Sequence, residues 1–189
     1  MAVSNRRDDT CKEMSPARSS RPPTHTLFLA LWPDDTVRCR IREHADRWVF
    51  PSGSVRYGPP DWHVTLHFLG RVPAERVPDL AVNIDVPREP FELVLDRPTI
   101  WPRGLAVVSA STTPRALKSL HARLGEALLG MEQAVETRPY RPHLTLARRA
   151  EAAVMPDPPV PVVWPVSGFV LVVSTGRPDH RYQVLREYR

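Results

Sequence analysis

The fold is decided by one stretch of the sequence, Asp61-Trp62-His63-Val64-Thr65-Leu66-His67-Phe68-Leu69-Gly70. Its essential part returns eighty positions later as His143-Leu144-Thr145-Leu146. A single His-x-Thr-x pattern carries little information, because threonine is a common strand residue. Two copies with matching flanks indicate a pair of related strands that carry the same functional side chains.

Both copies have the alternation of a β-strand. Side chains two positions apart on a strand share a face, so His63 and Thr65 point one way while the apolar residues between and after them point into a core. His143 and Thr145 repeat this geometry. If the two strands face each other across a cleft, two imidazoles and two hydroxyls can converge on one anionic group.

The composition is that of a globular protein. The chain has 189 residues, of which 42% are hydrophobic, and this is enough for one domain with a core. No apolar run approaches the roughly 20 residues of a membrane span, and the N-terminus lacks the apolar stretch of a signal peptide, so we expect a cytoplasmic protein. Its cysteines, Cys11 and Cys39, are expected to stay reduced. A net charge of +5 favours a polyanionic partner without identifying it.

The first 24 residues differ from the rest of the chain. They are rich in Ser, Arg, Pro and Asp and have almost no large apolar side chains, so burial cannot offset the entropy lost on ordering them. We therefore predict a flexible leader over residues 1–24 and a single bilobal domain over residues 25–189.

Within the domain, apolar periodicity and turn residues predict alternating strands and helices. Strands are predicted over residues 25–32, 55–57, 91–96, 105–111, 168–174 and 181–186, in addition to the two histidine strands, the first of which Gly70 closes. A helix capped by Asp34 or Asp35 carries an apolar stripe, a weaker one covers 74–84 with Pro78 interrupting it, and a third runs from the cap Thr113 to Leu129. Residues 155–165 are predicted to be a proline-rich loop.

The two halves of the domain match in plan. A strand, a helix and the His63 strand are echoed by a second strand, a second helix and the His143 strand. The simplest interpretation is an internal duplication with a period of about eighty residues. A duplication of this kind predicts two lobes related by a pseudo-twofold axis, which would bring the equivalent strands face to face.

These residue types are suited to phosphodiester hydrolysis. A neutral histidine can accept a proton from water, a protonated one can donate to a leaving oxygen, and threonine hydroxyls can donate hydrogen bonds to phosphoryl oxygens. In-line displacement needs the acid and the base on opposite sides of the phosphorus. A cyclic phosphate is a favourable substrate, because its ring strain removes the need for metal activation.

The motifs His63-Val64-Thr65-Leu66-His67-Phe68-Leu69-Gly70 and Arg141-Pro142-His143-Leu144-Thr145-Leu146 resemble the paired motifs of the two-histidine phosphoesterase superfamily, specifically its RNA 2',3'-cyclic phosphodiesterase branch, also called 2'-5' RNA ligase-like. The resemblance runs from about His25 to the C-terminus. It implies an α+β, bilobal fold in which two antiparallel sheets face a central cleft with helices outside. It also implies hydrolysis of 2',3'-cyclic phosphate ends of RNA to 2'-phosphates, with weak reverse 2'-5' ligation and no cofactor.

The resemblance assigns roles to five residues. His63 matches the proton donor to the leaving 3' oxygen, and His143 matches the base that activates water. Thr65 and Thr145 match the phosphate-binding hydroxyls, and Arg148 matches a basic residue that meets the phosphate. A regular strand would point Arg148 away from the cleft, so either the strand ends or bulges before it or another arginine takes its role.

His67 departs from the family pattern. By strand parity it shares a face with His63, so it either lines the cleft or is a hydrogen-bonded bystander at the far end of the strand. His121, beside the apolar stripe of its helix, is interpreted as a packed or boundary histidine. Four aromatic residues could stack on a terminal base or serve packing: Phe28, Tyr57, Trp101 and Tyr140.

Other functions remain open on the sequence. The same fold could act on 2'-5' oligoadenylate or another small cyclic phosphate, or it could be a non-catalytic RNA-binding module. A zinc site is disfavoured, because His63 and His67 have no carboxylate or thiolate at ligand spacing. We expect an RNA or small cyclic nucleotide as substrate, no metal, no membrane partner and a monomer.

Overall fold

A computed structural model describes residues 22–189. The strands in this range are β1 (Thr24–Leu31), β2 (Val55–Arg56), β3 (Val64–Pro73), β4 (Phe91–Leu95), β5 (Arg97–Trp101), β6 (Leu105–Ser109), β7 (His143–Arg148), β8 (Val162–Val166), β9 (Phe169–Ser174) and β10 (Tyr182–Tyr188). The α-helices are α1 (Asp35–Ala45), α2 (Val77–Asn83) and α3 (Arg115–Gly130), and short 3₁₀ helices cover Pro59–Asp61 and Ala74–Arg76. Most of the predicted leader, residues 1–21, lies outside the described residues.

One large antiparallel sheet contains both histidine strands. Its order is β10-β9-β1-β3-β7-β6-β5, and β2 pairs with the end of β7. The neighbours β3 and β7 pair at a single position, Val64 with Leu144. The sheet therefore consists of two halves that meet at this pair, which we call the junction. Because Val64 and Leu144 directly follow His63 and His143, the junction brings the two histidines to the same place.

The two faces of the large sheet have different roles. The main core lies on the face that packs against α1 and α3, where the leucines of β1 meet Ile41 of α1 and Leu124 of α3. A smaller apolar cluster on the opposite face contains Phe28 and Val172. The separate two-stranded sheet, β4 with β8, packs its β8 strand against α1. The opposite face of the large sheet is thus left free for a site.

Both long helices follow their predicted apolar stripes. In α1 the backbone N–H of Val37 donates to the Asp34 carboxylate at 2.8 Å, which confirms the predicted cap. Helix α3 buries its leucine stripe as expected, but its cap differs from the prediction: Pro114 occupies the N-cap position and no side chain caps the helix. Thr113 is therefore not the capping residue.

The predicted α+β class is confirmed, but the sheet arrangement differs from the prediction. The two histidine strands do not belong to separate sheets that face each other. They are joined through the junction into one sheet, and the second sheet is the small β4–β8 pair. One backbone pair is enough to join the halves while the strands diverge on either side of it.

Two strands were missed, and two, β3 and β10, end later than predicted. β5 lies between two predicted strands, where no strand is predicted, and β8 occupies the end of the predicted proline-rich loop, where Pro165 faces Glu92 of β4. Proline is compatible with this position because the small sheet has only two strands, and each is an edge. β3 continues through Gly70, whose φ of +70° suits a residue without a Cβ, and ends at Pro73. Pro78 lies in the first turn of α2 rather than interrupting it.

No helix in residues 22–189 combines the length and the apolar character needed to cross a membrane.

Candidate active site

A cavity of about 300 Å³, which we call the central cavity, opens on the free face of the large sheet at the junction. All five residues assigned by the sequence line it: His63, Thr65, His143, Thr145 and Arg148. The remaining wall comes from strands of both halves and from the segment before β3, with side chains that include Thr26, Phe28, Tyr57, Asp61, Phe68 and Tyr182. Strands eighty residues apart in sequence therefore contribute matching side chains to one space.

The two histidines are held in the same way. The Nδ1–H of His63 donates to the backbone carbonyl of Asp61 at 2.7 Å, and the Nδ1–H of His143 donates to the carbonyl of Arg141 at 2.8 Å. A carbonyl oxygen can only accept, so Nδ1 must carry a proton in both rings. Each neutral ring therefore has its free lone pair on Nε2. This is the atom that can exchange a proton with a bound ligand.

His63 is enclosed by aromatic rings. Its ring centroid lies 4.9 Å from that of Phe28, 5.1 Å from that of Tyr182 and 5.7 Å from that of Trp32. Burial, helped by the nearby His143, lowers the pKa of His63 to about 4, although the bond to the Asp61 carbonyl opposes the shift. His63 is therefore neutral at pH 7 when no ligand is bound.

His143 has a more open environment. It contacts one aromatic ring, that of Trp101, at a centroid distance of 4.3 Å. Burial lowers its pKa below the ordinary histidine value, and the bond to the Arg141 carbonyl opposes this. At neutral pH, His143 is thus placed to accept a proton through Nε2.

A bulge follows each threonine. Leu29 and Ala30 of β1 face His67 and Thr65, so Leu66 is an extra residue on β3. Ala106 and Val107 of β6 face Ala147 and Thr145, so the extra residue on β7 is Leu146. A bulge shifts the alternation of the residues that directly follow it. This shift decides which later side chains reach the cavity.

The bulge at Leu146 places Arg148 in the central cavity. Of the alternatives left open by the sequence, the structure has the bulged strand, and the Arg148 guanidinium lies 5.8 Å from the ring centroid of Tyr57. On β3, the equivalent bulge turns Phe68 toward the cavity, where it is 60% exposed. Arg148 and Phe68 therefore occupy matching places in the two halves.

The same bulge removes His67 from the central cavity. The parity prediction that it shares a face with His63 is wrong, because Leu66 shifts the alternation and His67 packs against α3 with 3% of its surface exposed. Its Nε2–H donates to the backbone carbonyl of His121 at 2.9 Å, and burial lowers its pKa. The rings of His67, His121 and Tyr140 stack in succession, with 4.0 Å between neighbouring centroids. His121 is thus a packed histidine, as predicted.

Sequence reasoning missed the polar surroundings of His63. Arg181 lies 3.4 Å from the Asp61 carboxylate, and its guanidinium lies 5.0 Å from the ring centroid of Tyr57. Burial raises the pKa of Asp61, while Arg181 opposes the shift. Tyr182 reaches His63 only because β10 pairs with β9 and β9 pairs with β1. No local pattern in the sequence indicates such a contact.

Among residues 22–189, no group of three or more His, Cys, Asp or Glu side chains is arranged to hold a metal ion. The polar lining of the central cavity consists instead of imidazoles, hydroxyls, the Arg148 guanidinium and the Asp61 carboxylate, which Arg181 pairs. Such a set of groups is suited to binding an anion and moving protons around it.

A family model of the 2'-5' RNA ligase superfamily matches residues 33–177. The chain belongs to the 2'-5' RNA ligase superfamily. The predicted resemblance is thereby confirmed. This superfamily member is 36% identical over 185 residues to an RNA 2',3'-cyclic phosphodiesterase of Thermus thermophilus, a match that covers 86% of this chain and 88% of the relative. It is 33% identical over 170 residues to an RNA 2',3'-cyclic phosphodiesterase of Escherichia coli, covering 86% and 94%.

Solved structures of the superfamily share the fold. The E. coli LigT structure complexed with 3'-AMP matches with a TM-score of 0.75 and 26% identity, covering 88% of this superfamily member and 98% of LigT. The LigT structure complexed with phosphate matches with a TM-score of 0.74 and 25% identity, covering 87% and 96%. The large antiparallel sheet is therefore common to this chain and LigT.

Proposed function

We propose that this protein hydrolyses the 2',3'-cyclic phosphate ends of RNA to 2'-phosphomonoesters, without a metal ion and as a cytoplasmic monomer. The observation that carries the proposal is the matched pair of imidazoles. Both have Nδ1 fixed by a backbone carbonyl, and both line the central cavity with a threonine beside each. Relatives named RNA 2',3'-cyclic phosphodiesterase and the nucleotide and phosphate complexes of LigT support the choice of substrate.

The reaction uses one histidine on each side of the phosphorus. Nε2 of His143 takes a proton from water, and the water oxygen attacks the phosphorus. The bond from phosphorus to O3' breaks, and the Nε2–H of protonated His63 gives its proton to O3'. The phosphate stays on O2', and the two histidines end with their protonation states exchanged.

The remaining cavity residues bind the phosphate. Thr65 and Thr145 donate hydrogen bonds to its non-bridging oxygens without changing charge. Arg148 offsets the negative charge, which grows as the water oxygen adds to phosphorus. The cavity, at about 300 Å³, is at the lower end of the range for small-ligand sites and suits a single nucleotide end.

The same site can run a weak ligation. If the 5'-hydroxyl of a second RNA takes the place of water, it attacks the cyclic phosphorus while His63 again protonates O3'. The product then contains a 2'-5' linkage. Water is far more abundant than RNA ends, so hydrolysis dominates.

The matching bulges support the proposal that the domain arose by duplication. β1, α1 and β3 form one unit, and β6, α3 and β7 form the other. In each unit the bulge follows the threonine at the same place, at Leu66 and at Leu146. A shared irregularity at equivalent places in the two units favours a common origin.

The activity is tested by incubating RNA that ends in a 2',3'-cyclic phosphate in the presence of chelator, with the retained phosphate located by mass spectrometry and NMR. We expect a 2'-phosphate product. His63→Ala and His143→Ala should each reduce kcat by about 10²- to 10⁴-fold. His25→Ala, which changes an exposed histidine at the start of β1, is the matched control. Near wild-type turnover in either cavity variant, or a full requirement for metal, would refute the mechanism.

A substrate with sulfur in place of O3' distinguishes the proposed general acid from the proposed general base. A thiolate leaves without being protonated, so this substrate does not need the general acid. We expect it to restore most of the activity of His63→Ala and none of the activity of His143→Ala. The opposite pattern would reverse the two assignments.

The same assay distinguishes the other candidate functions. Faster turnover of 2'-5' oligoadenylate or of a small cyclic phosphate would assign the protein a different substrate, while the proposed acid and base pair would stay the same. Tight binding of cyclic-phosphate RNA without any product would instead indicate an RNA-binding module.

A further inference from the structure

A second cavity adjoins the central one. It has a volume of about 550 Å³, and we call it the side cavity. Thr65, Phe68 and His143 line both cavities, so the two spaces share a wall at the proposed catalytic base. The proposed hydrolysis of a single cyclic nucleotide uses only the central cavity. The larger neighbouring space is therefore left without an occupant.

The side cavity has flat, apolar walls. Trp101 forms part of the wall next to His143, and Pro102 and Pro139 extend it. The stacked rings of His67, His121 and Tyr140, described above, also line it. Neighbouring rings in this stack are 4.0 Å apart, and His67 is almost completely buried, so the lining is rigid. Such a surface is suited to the face of a nucleobase.

The rim of the side cavity carries positive charge. Arg138 and Arg141 are both exposed there. The guanidinium of Arg138 pairs with the Glu136 carboxylate at 2.6 Å, while Arg141 forms no salt bridge within residues 22–189. The rim therefore has an uncompensated cation beside the apolar wall. A base with an adjoining phosphodiester presents the complementary surface.

We propose that the side cavity binds the nucleotide that precedes the cyclic-phosphate nucleotide in an RNA chain. Its base stacks on Trp101, and the phosphodiester between the two nucleotides meets Arg141 and Arg138 at the rim. The inference rests on the proposed function, since it needs the cyclic phosphate to lie in the central cavity. It makes the protein selective for RNA ends over free cyclic nucleotides.

The test compares kcat/KM for a 2',3'-cyclic mononucleotide with kcat/KM for a dinucleotide that ends in the same cyclic nucleotide. We expect the dinucleotide to be preferred by about 5- to 150-fold, the range for one stacked base. Trp101→Ala should lower this ratio at least fivefold, since it removes the stacked base and leaves the rim arginines in place. Because Trp101 contacts His143, the ratio between substrates is the readout, and a loss common to both substrates cancels from it.

A charge reversal at Arg138 tests the rim, and because this side chain is largely exposed, the substitution should not disturb the fold. Arg138→Glu should lower the dinucleotide preference at least fivefold while leaving mononucleotide turnover unchanged. Arg189→Glu is the matched control: Arg138 and Arg189 are 82% and 83% exposed, and each pairs with a glutamate that is 52% exposed and two residues earlier. The control should leave the preference unchanged.

Each outcome has a separate meaning. No turnover of either substrate would overturn the proposed function itself. Equal turnover of both substrates by the wild-type protein would overturn only the side-cavity inference. The same is true if Trp101→Ala keeps the dinucleotide preference, or if Arg189→Glu lowers it as much as Arg138→Glu does.

Discussion

The protonation of His63 should depend on the substrate. The proposed acid must carry a proton, yet burial lowers its pKa to about 4 in the free protein. At about 1.4 kcal/mol per pH unit, protonating it at pH 7 costs about 4 kcal/mol. A phosphate charge about 4 Å from the ring contributes about 4 kcal/mol at an effective dielectric constant near 20. A bound phosphate should therefore raise the pKa of His63 to near 7.

The measurement is a proton NMR titration of the His63 ring, assigned by comparison with His63→Gln. In the free protein the midpoint should lie near pH 4, and with a saturating nucleoside 2'-monophosphate it should move toward 7. Above its pKa the acid loses its proton, so the alkaline limb of kcat should lie at higher pH than that of kcat/KM. Because His143 also lowers the pKa of His63, His143→Gln should raise it in the free protein.

Two results would refute this reasoning. A midpoint near the ordinary histidine value of about 6.5 in the free protein would mean that the rings around His63 do not exclude water. A midpoint that stays near 4 with the nucleotide bound would mean that the phosphate does not lie beside His63. In that case His63 could not be the acid.

Three further substitutions test the site and its support. Arg148→Ala should raise KM for cyclic-phosphate RNA about tenfold or more, since a charge-assisted hydrogen bond contributes about 1.5–3 kcal/mol. The control, Arg71→Ala at the exposed end of β3, should leave KM unchanged. An unchanged KM for Arg148→Ala would remove this arginine from the phosphate site. Gly125→Ala should raise the free energy of unfolding by about 0.5–1 kcal/mol in chemical denaturation, because alanine favours a helix interior. The new Cβ would lie 3.5 Å from His67 Cε1, which is an ordinary contact. A loss of stability would show that His67 cannot accept the methyl group. Tyr140→Phe should raise Tm, because the buried Tyr140 hydroxyl has no hydrogen-bond partner within residues 22–189. Tyr188→Phe should lower Tm, because it removes the 2.7 Å hydrogen bond from the Tyr188 hydroxyl to the Ala81 carbonyl. Shifts of the same sign would contradict the assigned hydrogen bonding.

The parts of the fold that depend on local pattern could be predicted from the sequence. Helix α1 follows from the Asp34 cap and the spacing of Val37 and Ile41, and α3 from its leucine stripe. The β5 and β8 strands could not be predicted, because prolines and short length hide their alternation. Their conformation is decided by partners distant in sequence, as when β8 pairs with β4. Pairing of this kind leaves no trace in a window of a few residues.

Strand alternation predicts the site as far as each threonine, and only the family resemblance adds Arg148. His63, Thr65, His143 and Thr145 line one cavity, because strict alternation holds up to these residues. Beyond them, the parity rule puts His67 in the cleft and Arg148 outside it, and both placements are reversed. A bulge depends on the register between two strands, and a single strand's sequence does not contain the register.

The two histidine motifs match in sequence, but their environments differ in a way that suits different roles. Three aromatic rings enclose His63 and one contacts His143, so His63 has the stronger preference for the neutral state without a ligand. An acid that is neutral until a phosphate arrives acquires its proton when the leaving oxygen is in place. Two positions after the bulged leucine, one half has Arg148, to which the proposed mechanism assigns the phosphate charge, and the other has Phe68. In the proposed mechanism, the asymmetry between acid and base thus comes from the surroundings of two like motifs.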